Sequence, residues 1–233
     1  MSKLLFGDCL EIMKEIPDKS IDMVFCDLPY GTTQNKWDAV IPFELLWEQY
    51  NRIIKDDGIF VFTASQPFTS ALVMSNPKQF KQEVIWVKSD YETPHKTQGS
   101  GQLNIKHMSL KVHENVLIFK SKKMHTYNEQ LTEGEPYKVE REGFEQANYG
   151  KQKVSLKDNN GFRHAKSVIY VANPRVKGGH PTQKPVELVE YFIKTYTNEG
   201  DVVLDNCIGS GTTAIACLNL NREYIGIENN KEY

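Results

Sequence analysis

VVLDNCIGSGTTAIA, residues 202–216, runs from an apolar stretch through two closely spaced glycines into a second apolar stretch with helical spacing. That order predicts a strand, a tight loop and a helix. Glycine lets a backbone turn sharply and approach a ligand, and the first turn of a helix offers amides with no partner inside it. The next strand, predicted over 224–227, ends at Glu228. An acid in that place can accept from both hydroxyls of a ribose. The unit therefore points to a nucleoside ligand without selecting it. NAD, a flavin and S-adenosylmethionine all fit, and close helix–strand packing alone also accounts for Gly209 and Gly211. No GxxxxGK motif occurs, which argues against a P-loop nucleotide hydrolase.

The same alternation continues on either side of an irregular middle. Apolar runs at 4–6, 21–26, 59–62, 84–87 and 115–119 read as strands, with a further ordered stretch at 167–171. Helical spacing occupies 9–16, 43–54, 67–74 and 186–197. Asp8 is placed to cap the first of these helices, with Glu11 three residues on as in a capping box. Lys55-Asp56-Asp57-Gly58 reads as the stop of the second, and Pro185 suits the first position of the last. Strands separated by helices predict an α/β fold with a mostly parallel sheet covered on both faces. Residues 89–112 are polar and glycine-rich and predict a long loop. Residues 121–165 are lysine-rich with interleaved aromatics and predict a lobe inserted in a single domain over 1–233.

At 233 residues the chain suits one sizeable domain of this kind. No apolar run approaches the ~20 residues needed to span a bilayer, and the N-terminus is too short and too soon acidic for a signal peptide, so a cytoplasmic protein is expected. Cys9, Cys26, Cys207 and Cys217 show no CxxC spacing; neither a zinc site nor a disulfide framework is indicated, and no metal is expected. The formal net charge of −2 conceals an asymmetry. Residues 88–184 hold 17 Lys and Arg against 10 Asp and Glu, together with all six histidines, while the remainder is acidic. A basic middle on an acidic scaffold suggests a polyanion-binding surface.

Residues 27–30, DLPY, follow the strand at 21–26 and do more than a turn requires. A carboxylate oxygen of Asp27 and the Leu28 carbonyl are acceptors that can hold the two hydrogens of an exocyclic amine. Pro29 stiffens the turn, and Tyr30 offers a flat face on which a nucleobase can stack. Such a site holds an amino group with its lone pair aimed at an electrophile. Methyl transfer from a sulfonium needs little beyond alignment and the exclusion of competing water. Cys26 need not act as a nucleophile, because the amine attacks directly, and it reads as core.

With these residues in place the chain resembles the amino-methyltransferases of DNA, the adenine-N6 and cytosine-N4 enzymes. The order is that of the permuted group, in which the catalytic motif precedes the cofactor motif. Asp27-Leu28-Pro29-Tyr30 matches the family signature of D, N or S, two prolines and an aromatic, except at Leu28. HPTQKP stands intact at His180–Pro185. Asp205–Thr212 occupies the place of the family's DPFxGSGT, with Asn206-Cys207 for Pro-Phe. GDCLEIM at Gly7–Met13 and HENVLIF at His113–Phe119 are similar to two further family segments. The resemblance covers both ends of the chain and excludes most of 121–165.

That resemblance implies a Rossmann-like S-adenosylmethionine-dependent methyltransferase fold with a seven-stranded, mostly parallel sheet. Residues 121–165 become the target-recognition region and 89–112 the loop lining the DNA cleft. Asp27, Leu28, Pro29 and Tyr30 form the catalytic motif. Asp8, Asp27, Lys184, Asp205, Cys207, Gly209, Gly211, Thr212 and Glu228 form the cofactor site, with His180 and Lys184 near its methionine part. Aspartate at the first motif position favours adenine over cytosine. A base in duplex DNA reaches such a site only when flipped out of the stack, which needs grip on the phosphates. Lys120, Lys122, Lys123, Lys151, Lys153, Arg163, Arg175 and Lys177 are the candidate contacts, and Gln34, Asn35 and Trp37 the candidates for a flap over the base. Double-stranded DNA is the implied partner, homodimers are common among such enzymes, and a bacterial or phage-infected bacterial cell is the implied setting. Within the same chemistry cytosine-N4 is the alternative target, and two rivals of other classes use fewer residues. A non-catalytic DNA-binding or partner subunit gives Asp27 and Tyr30 no purpose, and a nicotinamide-dependent dehydrogenase explains only the glycine loop.

Overall fold

The computed structural model describes residues 2–230 apart from 34, 36, 37, 90, 91, 93–98, 101–104, 142–144, 147, 149, 152–154 and 174–182. The chain forms two compact units, Met1–Asn128 with Ser167–Tyr233, and Glu129–Lys166. Along the first unit come β1 (Lys3–Phe6), α1 (Cys9–Met13), β2 (Ile21–Cys26), α2 (Phe43–Ile53), β3 (Ile54–Ala64), α3 (Phe68–Ser75), β4 (Phe80–Val87) and β5 (His113–Lys120). The second unit holds β6 (Thr132–Glu133), β7 (Tyr137–Arg141), β8 (Glu145–Gln146), β9 (Gly150–Lys151), β10 (Ser155–Asn159) and β11 (Phe162–Arg163). The first unit resumes with β12 (Val168–Tyr170), α4 (Val186–Tyr196), β13 (Val202–Asp205), α5 (Thr212–Asn219) and β14 (Glu223–Glu228).

One sheet carries the first unit, in the order β1-β14-β13-β2-β3-β5-β4-β12. Every strand runs the same way except β5, which is antiparallel to both neighbours. Among the described residues the sheet has eight strands where the family pattern implies seven. The additional one is β12, three residues paired to β4 at the edge, so the mostly parallel arrangement is extended and not reordered.

Alternating side chains explain why this sheet is covered on both faces. Val24 and Cys26 of β2, Phe60 and Phe62 of β3, and Leu117 and Phe119 of β5 enter one core. Their sequence neighbours Met23, Phe25, Ile59, Val61, Val116 and Ile118 enter the other. Strands apolar at every position belong to sheets buried on both sides. α1, α2 and α3 cover the first face with Met13, Leu46, Tyr50, Ile53, Phe68 and Leu72, and Trp47 of α2 meets Phe60, Phe62 and Phe119 at centroid distances of 5.1 to 5.9 Å. α4 and α5 cover the second face with Leu188, Val189, Phe192, Ile193, Ala216 and Cys217.

Two local expectations are corrected. Lys55-Asp56-Asp57-Gly58 does not stop a helix: α2 ends at Ile53 and β3 begins at Ile54. The register against β2 jumps from Ile21↔Ile54 to Met23↔Ile59, so the polar residues form an irregularity inside the strand. α1 is also shorter than the predicted 9–16. Asp8 caps it, accepting from the Leu10 and Glu11 amides at 2.8 and 3.3 Å, but Glu11 pairs with Lys14 at 2.6 Å and closes no capping box.

The topology sets up one working edge. β1, β2, β3, β4, β13 and β14 all end there, and β5, running the opposite way, begins there, with His113 opposite Val87 and Glu114 opposite Trp86. α5, which follows β13, lies on one face of the sheet, whereas α2, which follows the adjacent β2, lies on the other. A crevice opens where neighbouring strands send their chains to opposite sides. Among its described residues, the second unit holds three two-stranded antiparallel ladders, β7 with β10, β6 with β11 and β8 with β9. Among the described residues, no helix is long and apolar enough to cross a membrane.

Candidate active site

The crevice is a cavity of about 990 Å³, and residues of both DLPY and the glycine loop line it. Motifs from opposite ends of the chain meet there because β2 and β13 are paired neighbours, with Val203 and Leu204 facing Met23 and Val24.

On the β13 side, Gly209 and Gly211 take φ of +47° and +81°, a region that side chains rarely adopt, and a Cβ on Gly211 would meet nothing within 4 Å. The loop is braced from β14. Glu228 accepts the Gly209 amide on one carboxylate oxygen at 2.9 Å and the amides of Asn229 and Asn230 on the other at 3.0 and 2.8 Å. Asp205 accepts the Thr213 hydroxyl at 2.6 Å and the Cys207 amide at 3.1 Å. Burial pushes its carboxyl up to about 6, against those two hydrogen bonds. Asn206 ties the loop to α2, its side-chain oxygen accepting the Tyr50 hydroxyl at 2.5 Å and its Nδ2 lying 3.6 Å from the sulfurs of Cys9 and Cys207. Cys207 thus presents a thiol where the family pattern has a ring. Asp8 lines the cavity while capping α1, and Thr212 lines it from the first turn of α5.

On the β2 side, Asp27 is the centre of a dense polar cluster. One oxygen accepts the Tyr30 hydroxyl at 2.7 Å and the hydroxyl of Thr63 on β3; the other accepts the Lys184 ammonium at 2.5 Å. Lys184 also lies 3.5 Å from Glu114, whose other oxygen pairs with Lys88 at 2.5 Å. Burial would push the Glu114 carboxyl up, but Lys184 and Lys88 outweigh it and hold the group below the usual carboxylate range. Burial would likewise lower the Lys184 ammonium, and Asp27 and Glu114 raise it instead. Glu114 and Lys184 are therefore both charged at neutral pH. The Leu28 side chain is buried in the first core, which accounts for an apolar residue at that position. Tyr30 stacks on Phe68 of α3 at 5.1 Å and 28°, so one ring face is taken and its hydroxyl serves Asp27. Burial pushes the Cys26 thiol up to about 12, which keeps it protonated and unreactive.

The loop after DLPY is held from within. Buried Asp38 accepts the amides of Gly31, Thr32 and Thr33 at 2.9, 2.9 and 2.7 Å. Burial alone would raise its carboxyl, and these donors lower it below the usual range. Asp38→Ala is expected to leave all three amides unpaired, with a loss of about 1–3 kcal/mol in unfolding free energy. Hydrogen exchange of residues 31–33 should accelerate before the rest of the chain. Since the folded carboxyl titrates below its unfolded value, this contribution is present above the ordinary carboxylate pKa and is lost as pH falls through the folded one.

Sequence reasoning missed Thr63, Lys88, Glu114 and Phe68. Glu114 sits one residue before the apolar run NVLIF, and only the antiparallel direction of β5 brings it to the working edge. Of the proposed DNA contacts, Lys120 ends β5 and Lys122 and Lys123 follow it, all three exposed, with Lys123 3.6 Å from Asp56. Arg163 is committed within the second unit, lying 4.7 Å from the Tyr137 ring and donating to Asn159 at 2.6 Å. Lys151 lies in β9. Lys153, Arg175 and Lys177, like His180, Gln34 and Trp37, fall outside the described residues.

The residues present suit S-adenosylmethionine. Among the described residues, six carboxylates, of Asp8, Asp27, Asp38, Glu114, Asp205 and Glu228, line one cavity against the three lysines Lys88, Lys111 and Lys184, and a ligand bearing a sulfonium and an ammonium answers that surplus. Cys9, Leu10 and Ile208 add an apolar wall, and the open backbone at Gly211 admits close approach.

Comparison with known proteins agrees. The Type II methyltransferase M1.MboII of Moraxella bovis is 27% identical, with 100% of this chain and 94% of that protein covered. The DNA adenine methyltransferase YhdJ of Escherichia coli (strain K12) is 29% identical over 99% of this chain and 79% of its own. The crystal structure of the M1.HpyAVI–SAM complex matches with a TM-score of 0.64 at 25% identity, covering 100% of this chain and 96% of that one. Residues 21–233 match the family model described as DNA methylase, the N6/N4 methyltransferases. The chain belongs to that family.

Proposed function

We propose that this protein transfers a methyl group from S-adenosylmethionine to the 6-amino group of adenine in double-stranded DNA. The observation that carries the proposal is Asp27, a carboxylate set in the same cavity as the glycine loop. When bound, S-adenosylmethionine supplies an electrophilic methyl group on a cationic sulfur. Asp27 and the Leu28 carbonyl accept the two hydrogens of the amine, which fixes the nitrogen lone pair. Tyr30 and Thr63 hold the carboxylate in place through their hydroxyls. Glu228 and Asp205 keep the glycine loop in shape through its amides. Among the described residues lining the cavity there is no histidine, and the surplus proton of the methylated amine passes to water.

Adenine is favoured by aspartate at the head of the motif and by the relative YhdJ, which is named a DNA adenine methyltransferase. The base must leave the duplex to reach a carboxylate inside a cavity, and residues 121–165, which carry the ladders from β6 to β11, are the segment we assign to target recognition. Lys120, Lys122 and Lys123 are assigned to phosphate contact. Each phosphate neutralised steepens the salt dependence of binding, so log affinity should fall with log salt at a slope near −0.9 per contact. A flat response would remove these lysines from the interface. The base is tested with labelled S-adenosylmethionine and unmethylated duplex DNA, digested to nucleosides. Label in 6-methyladenine is expected; label in 4-methylcytosine would keep the chemistry and overturn the base.

A further inference from the structure

The carboxylate proposed to receive the amine is already occupied. Asp27 gives one oxygen to Tyr30 and Thr63 and the other to Lys184 at 2.5 Å. A carboxylate offers roughly four acceptor positions, and three are filled, one of them by a cation that cancels its charge. An ammonium in that seat weakens Asp27 as an acceptor. It also opposes the positive charge that grows on the amine nitrogen as the methyl group arrives. Lys184 is therefore in the right place to hold Asp27 before the base enters and in the wrong place during transfer.

The structure holds a second seat for it. Glu114 Oε2 is buried and, among the described residues, has no hydrogen-bond partner, while Lys184 Nζ lies 3.5 Å away. The other Glu114 oxygen is fixed by Lys88 at 2.5 Å, and Lys88 in turn lies over the Trp86 ring at 5.6 Å. Glu114 is itself fixed in the β5–β4 ladder opposite Trp86. Moving Lys184 from its present distance to ordinary hydrogen-bond length requires a shift under about 1 Å, within the swing of one lysine rotamer. The four charges, Asp27, Lys184, Glu114 and Lys88, sum to zero, so the move changes partners without adding an unpaired ion.

We infer that the arriving amine displaces Lys184 from Asp27 to Glu114, which makes Glu114 a positioning residue for methyl transfer. The inference rests on the proposed role of Asp27. Lys111 lines the same part of the cavity and adds a third cation near Glu114, which keeps the carboxylate ionised after the hand-over.

The test is single-turnover methylation of a duplex that the wild-type chain methylates, with cofactor affinity and thermal unfolding measured alongside. Glu114→Gln keeps the shape and removes the negative seat. It should slow transfer on the order of 10-fold, within the range for coupled neighbours, at unchanged cofactor affinity. Lys184→Met added to that variant removes the competitor for Asp27 and should raise the rate above that of E114Q alone, a recovery that a merely structural role for Glu114 would not produce. An E114Q as fast as wild type overturns the hand-over, and so does a double variant no faster than E114Q. If E114Q does not fold, Glu114→Asp, which withdraws the carboxylate by one methylene, is read by the same criteria. A wild-type chain that labels no DNA removes the underlying role of Asp27; an active wild type beside an equally active E114Q removes the hand-over alone.

Discussion

Asp27→Ala is expected to lower methyl transfer by at least about 10²-fold, the loss seen when a preorganised electrostatic partner of a reacting group is removed. DNA binding should persist, because none of the basic candidates depends on Asp27, which is one of six carboxylates among the described residues lining the cavity. The chain should also stay folded. Removing one member of a buried ion pair usually costs several kcal/mol because a charge is stranded. Here Lys184 keeps Glu114 at 3.5 Å, and the Thr63 and Tyr30 hydroxyls can turn to water. Single-turnover rates beside thermal unfolding separate the two effects. A variant that transfers at the wild-type rate would place the acceptor of the amine elsewhere in the cavity.

Asp205→Asn should act in opposite directions on stability and on binding. The Asp205 carboxyl is 4% exposed and burial raises it from 3.8 to about 6. A group whose folded pKa is raised binds its proton more tightly in the folded state. Its contribution is fully present below pH 3.8 and is lost as pH rises through about 6. At pH 8 the unliganded chain therefore carries a buried charge at a cost of about 1–3 kcal/mol. Asparagine keeps an oxygen to accept the Cys207 amide and places an Nδ2 that donates to the Thr213 hydroxyl oxygen, without the charge. The variant should melt higher than wild type at pH 8, with the difference shrinking at pH 5. A cationic cofactor then meets one carboxylate fewer, and its affinity should fall by about 10-fold or more. Calorimetry at both pH values reads both effects; an unchanged cofactor affinity would remove Asp205 from the binding site.

Much of this arrangement was legible in the chain. The runs around Val24, Phe60 and Leu117 are apolar at consecutive positions, which only a sheet covered on both faces requires, and that feature fixes the α/β class. The strand–glycine–helix unit at 202–216 names its own geometry, and positive φ at Gly209 and Gly211 is what those glycines are for. Strand direction was not legible. Nothing in NVLIF says that β5 runs against its neighbours, so Glu114 reads as a flanking charge although the fold carries it to within 3.5 Å of Lys184. The same holds for Thr63, which looks like a strand residue until β3 and β2 pair and bring its hydroxyl to Asp27. Polar residues were misread where the sheet absorbs them: Lys55 to Gly58 look like a turn but lie inside β3, with Lys55 paired to Asp22 at 2.6 Å. Motif chemistry survives in a local stretch, whereas the partners that tune it arrive through long-range register.

The most direct measurement is a crystal structure of the full chain with a duplex carrying its mapped methylation site and a non-reactive analogue of S-adenosylmethionine. The account predicts a base turned out of the helix, its exocyclic nitrogen within hydrogen-bond distance of an Asp27 oxygen and facing the analogue across the glycine loop. A base that stays stacked in the duplex, or an extruded base whose amine meets other residues while Asp27 remains closed by Lys184, Tyr30 and Thr63, would contradict it.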